Sequence, residues 1–363
     1  MGFTCGLVGL PNAGKSTLFT ALTGAETLVA PYPFSTLEPR KGVVPVPDDR
    51  LDRLATALKP AKVTPAHLEV MDIAGLVEGA SRGEGLGNQF LSHIRAVDAL
   101  AHVVRCFRAG DVPHVGGEPD PRRDVGIVNT ELLLADLEVV ERRLDKVKRV
   151  AKADPKAARA EWAFLERCRD ALGRGTPLRA LDLAAADRAI ARELGLLTAK
   201  PLCYVANVDR GDPGSMALAA QLESIASGAP VVTVDGKLES ELTQFSPEEQ
   251  RQFLAEWGLA ESALVRLIKV GYRLLGLITF YTVVGEELRA WSLKDGATAV
   301  EAAGQIHTDM ARGFVRAEVT RVEDFLATPV WATLRERGLV RLEGRDYQVR
   351  DGDILTIRFT PSS

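Results

Sequence analysis

The stretch Phe3-Thr4-Cys5-Gly6-Leu7-Val8-Gly9-Leu10-Pro11-Asn12-Ala13-Gly14-Lys15-Ser16-Thr17 decides the fold of this 363-residue chain. Phe3 to Val8 is an apolar run of the length expected for a strand buried on both faces, and Lys15 to Leu22 has helical character. Between them, Gly9 to Thr17 matches GxxxxGK[ST] in the context the motif requires, after a strand and before a helix. Glycines let the backbone turn its N–H groups toward phosphate oxygens, and the helix presents its positive N-terminal end. Lys15 adds a cation near the β and γ phosphates, and the Ser16 hydroxyl is placed to ligate Mg²⁺. Asn12, Ala13, Gly14, Lys15, Ser16 and Thr17 are therefore the expected phosphate-binding residues, with Lys15 also expected to stabilise charge during hydrolysis.

Outward from this loop, further apolar runs at Leu68 to Ile73, Leu100 to Phe107, Pro201 to Ala206 and Pro230 to Val234 alternate with helical segments such as Gly87 to Val97. That alternation predicts a doubly wound α/β sheet of the P-loop NTPase, G-domain-like kind, with ligand loops at the carboxyl ends of its strands. Asp72 ends one run and opens Asp72-Ile73-Ala74-Gly75, as expected of an aspartate holding Mg²⁺ at one remove and a glycine whose N–H reaches the γ phosphate. The glycines at 75, 79, 83, 85 and 87 disfavour a stable helix there and predict a switch that orders around that phosphate. Thr36, in Tyr32-Pro33-Phe34-Ser35-Thr36, is the candidate second Mg²⁺ hydroxyl. Position 76, where a glutamine often orients the attacking water, is Leu76. His114, in a Gly/Pro loop following the Leu100 to Phe107 strand, is the candidate replacement, or else an exposed loop histidine; His102 and His67 read as structural.

The base-reading loop is expected at Asn207-Val208-Asp209-Arg210. Guanine readers of the Asn-Lys-x-Asp type accept guanine's N1 and N2 hydrogens with the terminal carboxylate. Arg210 presents donors only, which disfavours guanine, whereas the Asn207 amide can pair with a purine edge. Asp209 swinging inward keeps GTP as the minority reading, and Asp235-Gly236-Lys237 forms the remaining wall.

Two segments depart from the α/β rhythm. From Thr130 to about Gly173, apolar residues Leu137, Val140, Leu144, Val147 and Ala151 are spaced 3,4,3,4, and Trp162, Leu165 and Leu172 follow after Ala153-Asp154-Pro155. This pattern predicts an antiparallel coiled-coil hairpin inserted in the sheet domain. Arg142, Arg143, Lys146, Lys148, Arg149, Lys152, Lys156 and Arg159 make its tip basic, or equally an ordinary solvated face. From about Leu277, short strands with turn signals at Asp295-Gly296 and Asp351-Gly352 predict a small mixed β domain, its strands including Tyr347 to Val349. The expected division is 1–129 and 200–276 for the nucleotide-binding domain, 130–199 for the hairpin and 277–363 for the β domain.

Composition sets limits on function. A net charge of −4 excludes a protein that coats nucleic acid through overall charge, so a polyanionic partner must meet a local patch. Mean hydropathy of +0.01 and no apolar stretch of spanning length argue against a membrane protein. Cys5, Cys106, Cys168 and Cys203 share no metal-ligand spacing and read as reduced, buried residues of a cytoplasmic protein.

Together these residues resemble the YchF family, ribosome-associated P-loop ATPases of the Obg-related branch, over nearly the whole chain. The resemblance is carried by Gly9 to Thr17, Pro33 to Pro39, Asp72 to Asn88 and His102 to Phe107. Arg289-Ala290-Trp291 and Ile306-His307-Thr308-Asp309 resemble the family's TGS domain, a β-grasp module, and the hairpin its inserted coiled coil. The resemblance implies ATP hydrolysis in preference to GTP, Mg²⁺ through Ser16 and Thr36, Leu76 in place of glutamine, and a part for His114 in hydrolysis. It also implies binding to the large, 50S ribosomal subunit, with rRNA or tRNA as further contacts, in a nucleotide-dependent switch acting in translation or stress response. Arg210 stands where relatives usually have glutamate, and Ser35 where many have cysteine. Competing readings are an Obg-type GTPase and a nucleotide-gated ribosome- or RNA-binding module with incidental hydrolysis.

Overall fold

The computed structural model describes residues 3–24, 39–73, 75, 79, 86–108, 114, 116–150 and 155–361. Ser35, Thr36, Leu76, Ala151 and Lys152 lie outside the described residues. The strands, in chain order, are β1 (Thr4–Val8), β2 (Arg40–Pro45), β3 (Lys62–Thr64), β4 (His67–Asp72), β5 (Ala99–Arg105), β6 (Leu202–Asn207), β7 (Val231–Val234), β8 (Leu277–Val284), β9 (Glu287–Lys294), β10 (Phe314–Arg321), β11 (Arg341–Glu343) and β12 (Asp353–Phe359).

One sheet has the order β2-β4-β1-β5-β6-β7. Its pairs β1–β4, β1–β5, β5–β6 and β6–β7 are parallel, as the alternation of strands and helices predicts. The chain leaves β1 toward β4 and later returns to β1's other side with β5, so the loops after these strands open at a topological switch point. β5 and β6 are buried along their whole length, which explains their continuous apolar reading. Helices Leu86–Ala96, Pro121–Val150 and Ser215–Ile225 cover this sheet, placing Ile94, Val128, Leu132 and Leu222 against Val8, Ile73, Leu100 and Val104.

Helix Pro121–Val150 begins nine residues before the predicted stripe region. Asp120 Oδ1 accepts the N–H groups of Arg122 and Arg123, and Pro121 occupies the first turn, so the cap signal lies in Asp120-Pro121. The helix runs beyond the sheet core into a second cluster, where Val140, Leu144 and Val147 pack with Phe164, Leu165, Cys168 and Leu172 of helix Pro155–Gly173.

The second sheet has the order β11-β10-β12-β8-β9-β3 and is mixed: β8–β9, β10–β12 and β10–β11 are antiparallel, β12–β8 and β3–β9 parallel. Its own core gathers Phe280, Leu293, Ala302, Ala317, Val319 and Leu355. Tyr347 to Val349, expected as a strand, contributes only an isolated bridge from Gln348 to Thr298. The Tyr347 N–H closes a turn onto Gly344 O and its hydroxyl donates to Asp353, so the segment bends; the short strand is Arg341–Glu343.

The chain divides into two compact units, Thr4–Gly42 with Glu69–Leu267, and Val43–Leu68 with Ile268–Ser363 and the first three residues. Residues 43–68, read from sequence as part of the 1–129 segment, thus group with the C-terminal strands, β3 pairing with β9. All four cysteines are buried and unpaired, and burial pushes the Cys5 thiol up to about 12. Among the described residues no helix is long and apolar enough to cross a membrane.

Candidate nucleotide-binding site

The loop after β1 has the backbone that phosphate binding requires. Asn12 and Gly14 both have positive φ, 61° and 94°, turning the chain sharply before helix Lys15–Thr23 begins. Gly14 is obligatory on a second count: a Cβ there would lie 2.0 Å from Asn207 Nδ2. No side chain caps that helix, so its first N–H groups face the loop. Ala13 is buried, and Thr17 is exposed on the helix's first turn.

Lys15 is 6% exposed and donates to Leu10 O at 2.9 Å, folding over its own loop. Burial lowers it to about 8, opposed by the nearby charge of Asp72. A phosphate placed there would favour its charged form. Ser16 Oγ donates to Asp72 Oδ2 at 2.7 Å, so the residue expected to ligate Mg²⁺ and the one expected behind it are brought together. A hydroxyl beside a carboxylate is a hard-oxygen pair that fits Mg²⁺ completed by phosphate and water. Among the described residues no group of three His, Cys, Asp or Glu forms an all-protein metal cage. Gly75 also joins the site, because a Cβ on it would lie 2.8 Å from Pro11 N and 2.9 Å from Pro11 Cα.

Around the expected base pocket, most polar groups are already partnered. Asn207, buried at the end of β6, donates from Nδ2 to Ala13 O at 2.9 Å and accepts at Oδ1 from Gly236 N–H at 3.2 Å. Its amide therefore ties the phosphate loop to the turn after β7, leaving one N–H and one lone pair for a ligand. Val208 is buried and pairs through its N–H with Val234 O. The Asp209 carboxylate accepts Gly211 N–H at 2.8 Å in a tight turn. Arg210 stacks its guanidinium on Trp257, 5.0 Å from the ring centroid. Asp235 accepts Arg210 N–H and caps the next helix at Leu238 N–H.

His114 is not an exposed loop histidine. Its side chain is 3% exposed, its Nδ1 accepts Gly116 N–H at 3.0 Å, and its Nε2 bonds Asp124 Oδ2 at 2.9 Å. Arg123 clasps the same loop by donating to Gly116 O and Glu118 O. Gly79, in the predicted switch segment, donates its N–H to Glu131 Oε1 at 2.7 Å. Asp124 and Glu131 complete the site without belonging to any of its sequence motifs. Their signal was the pair of acids seven apart among buried apolar positions such as Val125, Val128 and Leu132.

A phosphate loop between a central parallel strand and its helix, with Ser16 on Asp72 and Gly75 against Pro11, defines a P-loop nucleotide-binding protein of the GTPase-like α/β class. The family model MMR_HSR1, described as a 50S ribosome-binding GTPase, matches residues 4–136, and YchF-GTPase_C, described as a protein of unknown function (DUF933), matches residues 277–360. The ribosome-binding ATPase YchF of Escherichia coli O157:H7 is 48% identical over 361 residues, 99% of each chain, and that of Bacillus subtilis 47% identical over 364 residues, 99% of this chain and all of the other. The structure of the Schizosaccharomyces pombe YchF GTPase superposes with a TM-score of 0.86 at 35% identity, covering 98% of both chains. The chain belongs to the YchF family.

Proposed function

We propose that this protein binds ATP in preference to GTP, hydrolyses it with Mg²⁺, and associates with the large ribosomal subunit as a nucleotide-dependent switch in the cytoplasm. The protein is a P-loop nucleoside triphosphate hydrolase. The observation that carries this reading is its likeness, over 99% of its length, to ribosome-binding ATPases. The preference for ATP is supported by the base-side loop, where Arg210 presents donors only and is drawn onto Trp257, while the Asp209 carboxylate is turned to Gly211 N–H. Ser16, with Thr36 and with Asp72 behind, would hold the Mg²⁺, which supplies charge neutralisation between the phosphates. Lys15 and the loop N–H groups bind the β and γ phosphates and stabilise charge as water attacks in line, while Gly75 N–H reaches the γ phosphate. With leucine at position 76, His114 takes the part of orienting the water.

The packed helices Pro121–Val150 and Pro155–Gly173, read as a coiled-coil hairpin, and the C-terminal sheet, read as a TGS-like β-grasp module, are the proposed ribosome contacts. Lys146, Lys148, Arg149 and Arg159 are exposed and make no ion pair among the described residues, which suits a phosphate-rich partner such as rRNA or tRNA. A steady-state ATPase assay with and without purified ribosomes tests this: acceleration supports a coupled switch, and an unchanged rate supports a binding module in which hydrolysis is incidental. A GTPase is the second reading, favoured by the 50S ribosome-binding GTPase description of the family model over residues 4–136.

A further inference from the structure

Asp124 and Glu131 stand seven residues apart, two turns along one face of helix Pro121–Val150, and are only 3% and 4% exposed. Buried carboxylates need partners, and each of these reaches a loop of the nucleotide site. Because His114 Nδ1 accepts Gly116 N–H, its proton sits on Nε2 and is donated to Asp124. Both imidazole nitrogens are thereby engaged, leaving none to orient a water. Asp124's other oxygen takes Arg123 Nε and Nη2, at 3.2 and 3.0 Å, so the carboxylate is fixed in turn. Two turns on, Glu131 holds Gly79 N–H. A cavity of about 540 Å³, lined among others by Gly79, Arg123, Ile127, Thr130 and Glu131, lies along the same face, and a Cβ on Gly126 would meet nothing within 4 Å. The Gly79–Glu131 bond lies beside this open space and can part without repacking a core, whereas the buried His114–Asp124 pair is held by directional hydrogen bonds that break together when its loop moves.

We infer that Asp124 and Glu131 are positioning residues that hold His114 and Gly79 in a resting arrangement, and that the helix releases both when its far end is engaged. The helix is continuous from Asp124 to Val147 in the second core cluster, so one rigid element touches the two loops and the basic arm. The inference rests on the proposed part of His114 in hydrolysis and of the arm in ribosome binding.

The test uses the full-length protein. Asp124→Asn keeps an acceptor but loses the charge, so ribosome-independent kcat should rise about tenfold with KM for ATP little changed. Ribosomal stimulation should shrink by the same factor, and Asp124→Asn/His114→Ala should lose the gain. Glu131→Gln should give a smaller rise, about threefold. Turnover of Asp124→Asn at or below the parental rate overturns the inference. Should that variant misfold, diethyl pyrocarbonate labelling of the parental protein decides: His114 should be protected alone and reactive once ribosomes and a non-hydrolysable ATP analogue are bound, and equal protection in both states overturns it. If His114→Ala matches the parental protein on ribosomes, the functional reading fails and the inference falls with it. If His114→Ala is impaired there while Asp124→Asn is inert, the inference alone fails.

Discussion

The phosphate end and the base end of the nucleotide site are built differently. At the phosphate end the backbone is shaped in advance: positive φ at Asn12 and Gly14, an uncapped helix N-terminus, and Lys15 and Ser16 held by Leu10 O and Asp72. At the base end side chains hold backbone groups and a ring: Asn207 the Ala13 C=O and Gly236 N–H, Asp209 the Gly211 N–H, and Arg210 the Trp257 face. On the proposed function, substitutions at the phosphate end should be tolerated poorly, whereas the contacts of Asp209 and Arg210 at the base end are exchangeable.

The phosphate end depends most on Lys15. Lys15→Ala should cut the affinity for ATP and GTP alike by roughly 1,000-fold, measured by fluorescent-nucleotide titration, because it removes the buried cation facing the phosphates. Unchanged affinity would remove the phosphate-loop assignment.

Behind the same loop, His102 is 1% exposed in β5, with its Cδ2 3.7 Å from where a Cβ on Gly9 would stand. Burial, then the charges of Arg179 and Lys15, push it down to about 3. Its folded pKa lies below the unfolded one, so the unfolded chain binds the extra proton below about pH 6.5, and stability falls as pH drops from there toward 3. Urea titrations should show a loss on the order of 3 kcal/mol from this residue between pH 7 and pH 4. A His102→Leu variant should lack that part of the slope.

Asn207 joins the two ends. Asn207→Ala leaves Ala13 C=O and Gly236 N–H without their partner, costing about 2 kcal/mol of stability and weakening both nucleotides together. A change in the ATP-to-GTP ratio without a loss for both would show that its amide reads the base instead. The smallest effect belongs to Arg210→Glu, which should leave phosphate contacts intact and shift the ATP-to-GTP ratio by less than about tenfold.

What was legible in the sequence follows the range of the interactions. The phosphate loop, Asp72 and the buried parallel strands are local signals, and the structure places Ser16 on Asp72 from positions 56 residues apart. The strands Arg40–Pro45, Lys62–Thr64 and Arg341–Glu343 were not legible, because the last two are only three residues long and the first opens on two charges and a glycine. The grouping of residues 43–68 with the C-terminal strands depends on pairings such as Lys62 with Glu287, which no local pattern announces. The least legible feature of the site is the hold on His114. Its loop position was read correctly, but its partner Asp124 looked like one more acid at the start of a charged helix.

A competitive titration of ATP against GTP on the full-length protein decides whether the base end prefers adenine. With Asp209 turned to Gly211 and Arg210 on Trp257, ATP should displace a bound fluorescent nucleotide at lower concentration than GTP. Tighter binding of GTP would show that the base end reads guanine instead.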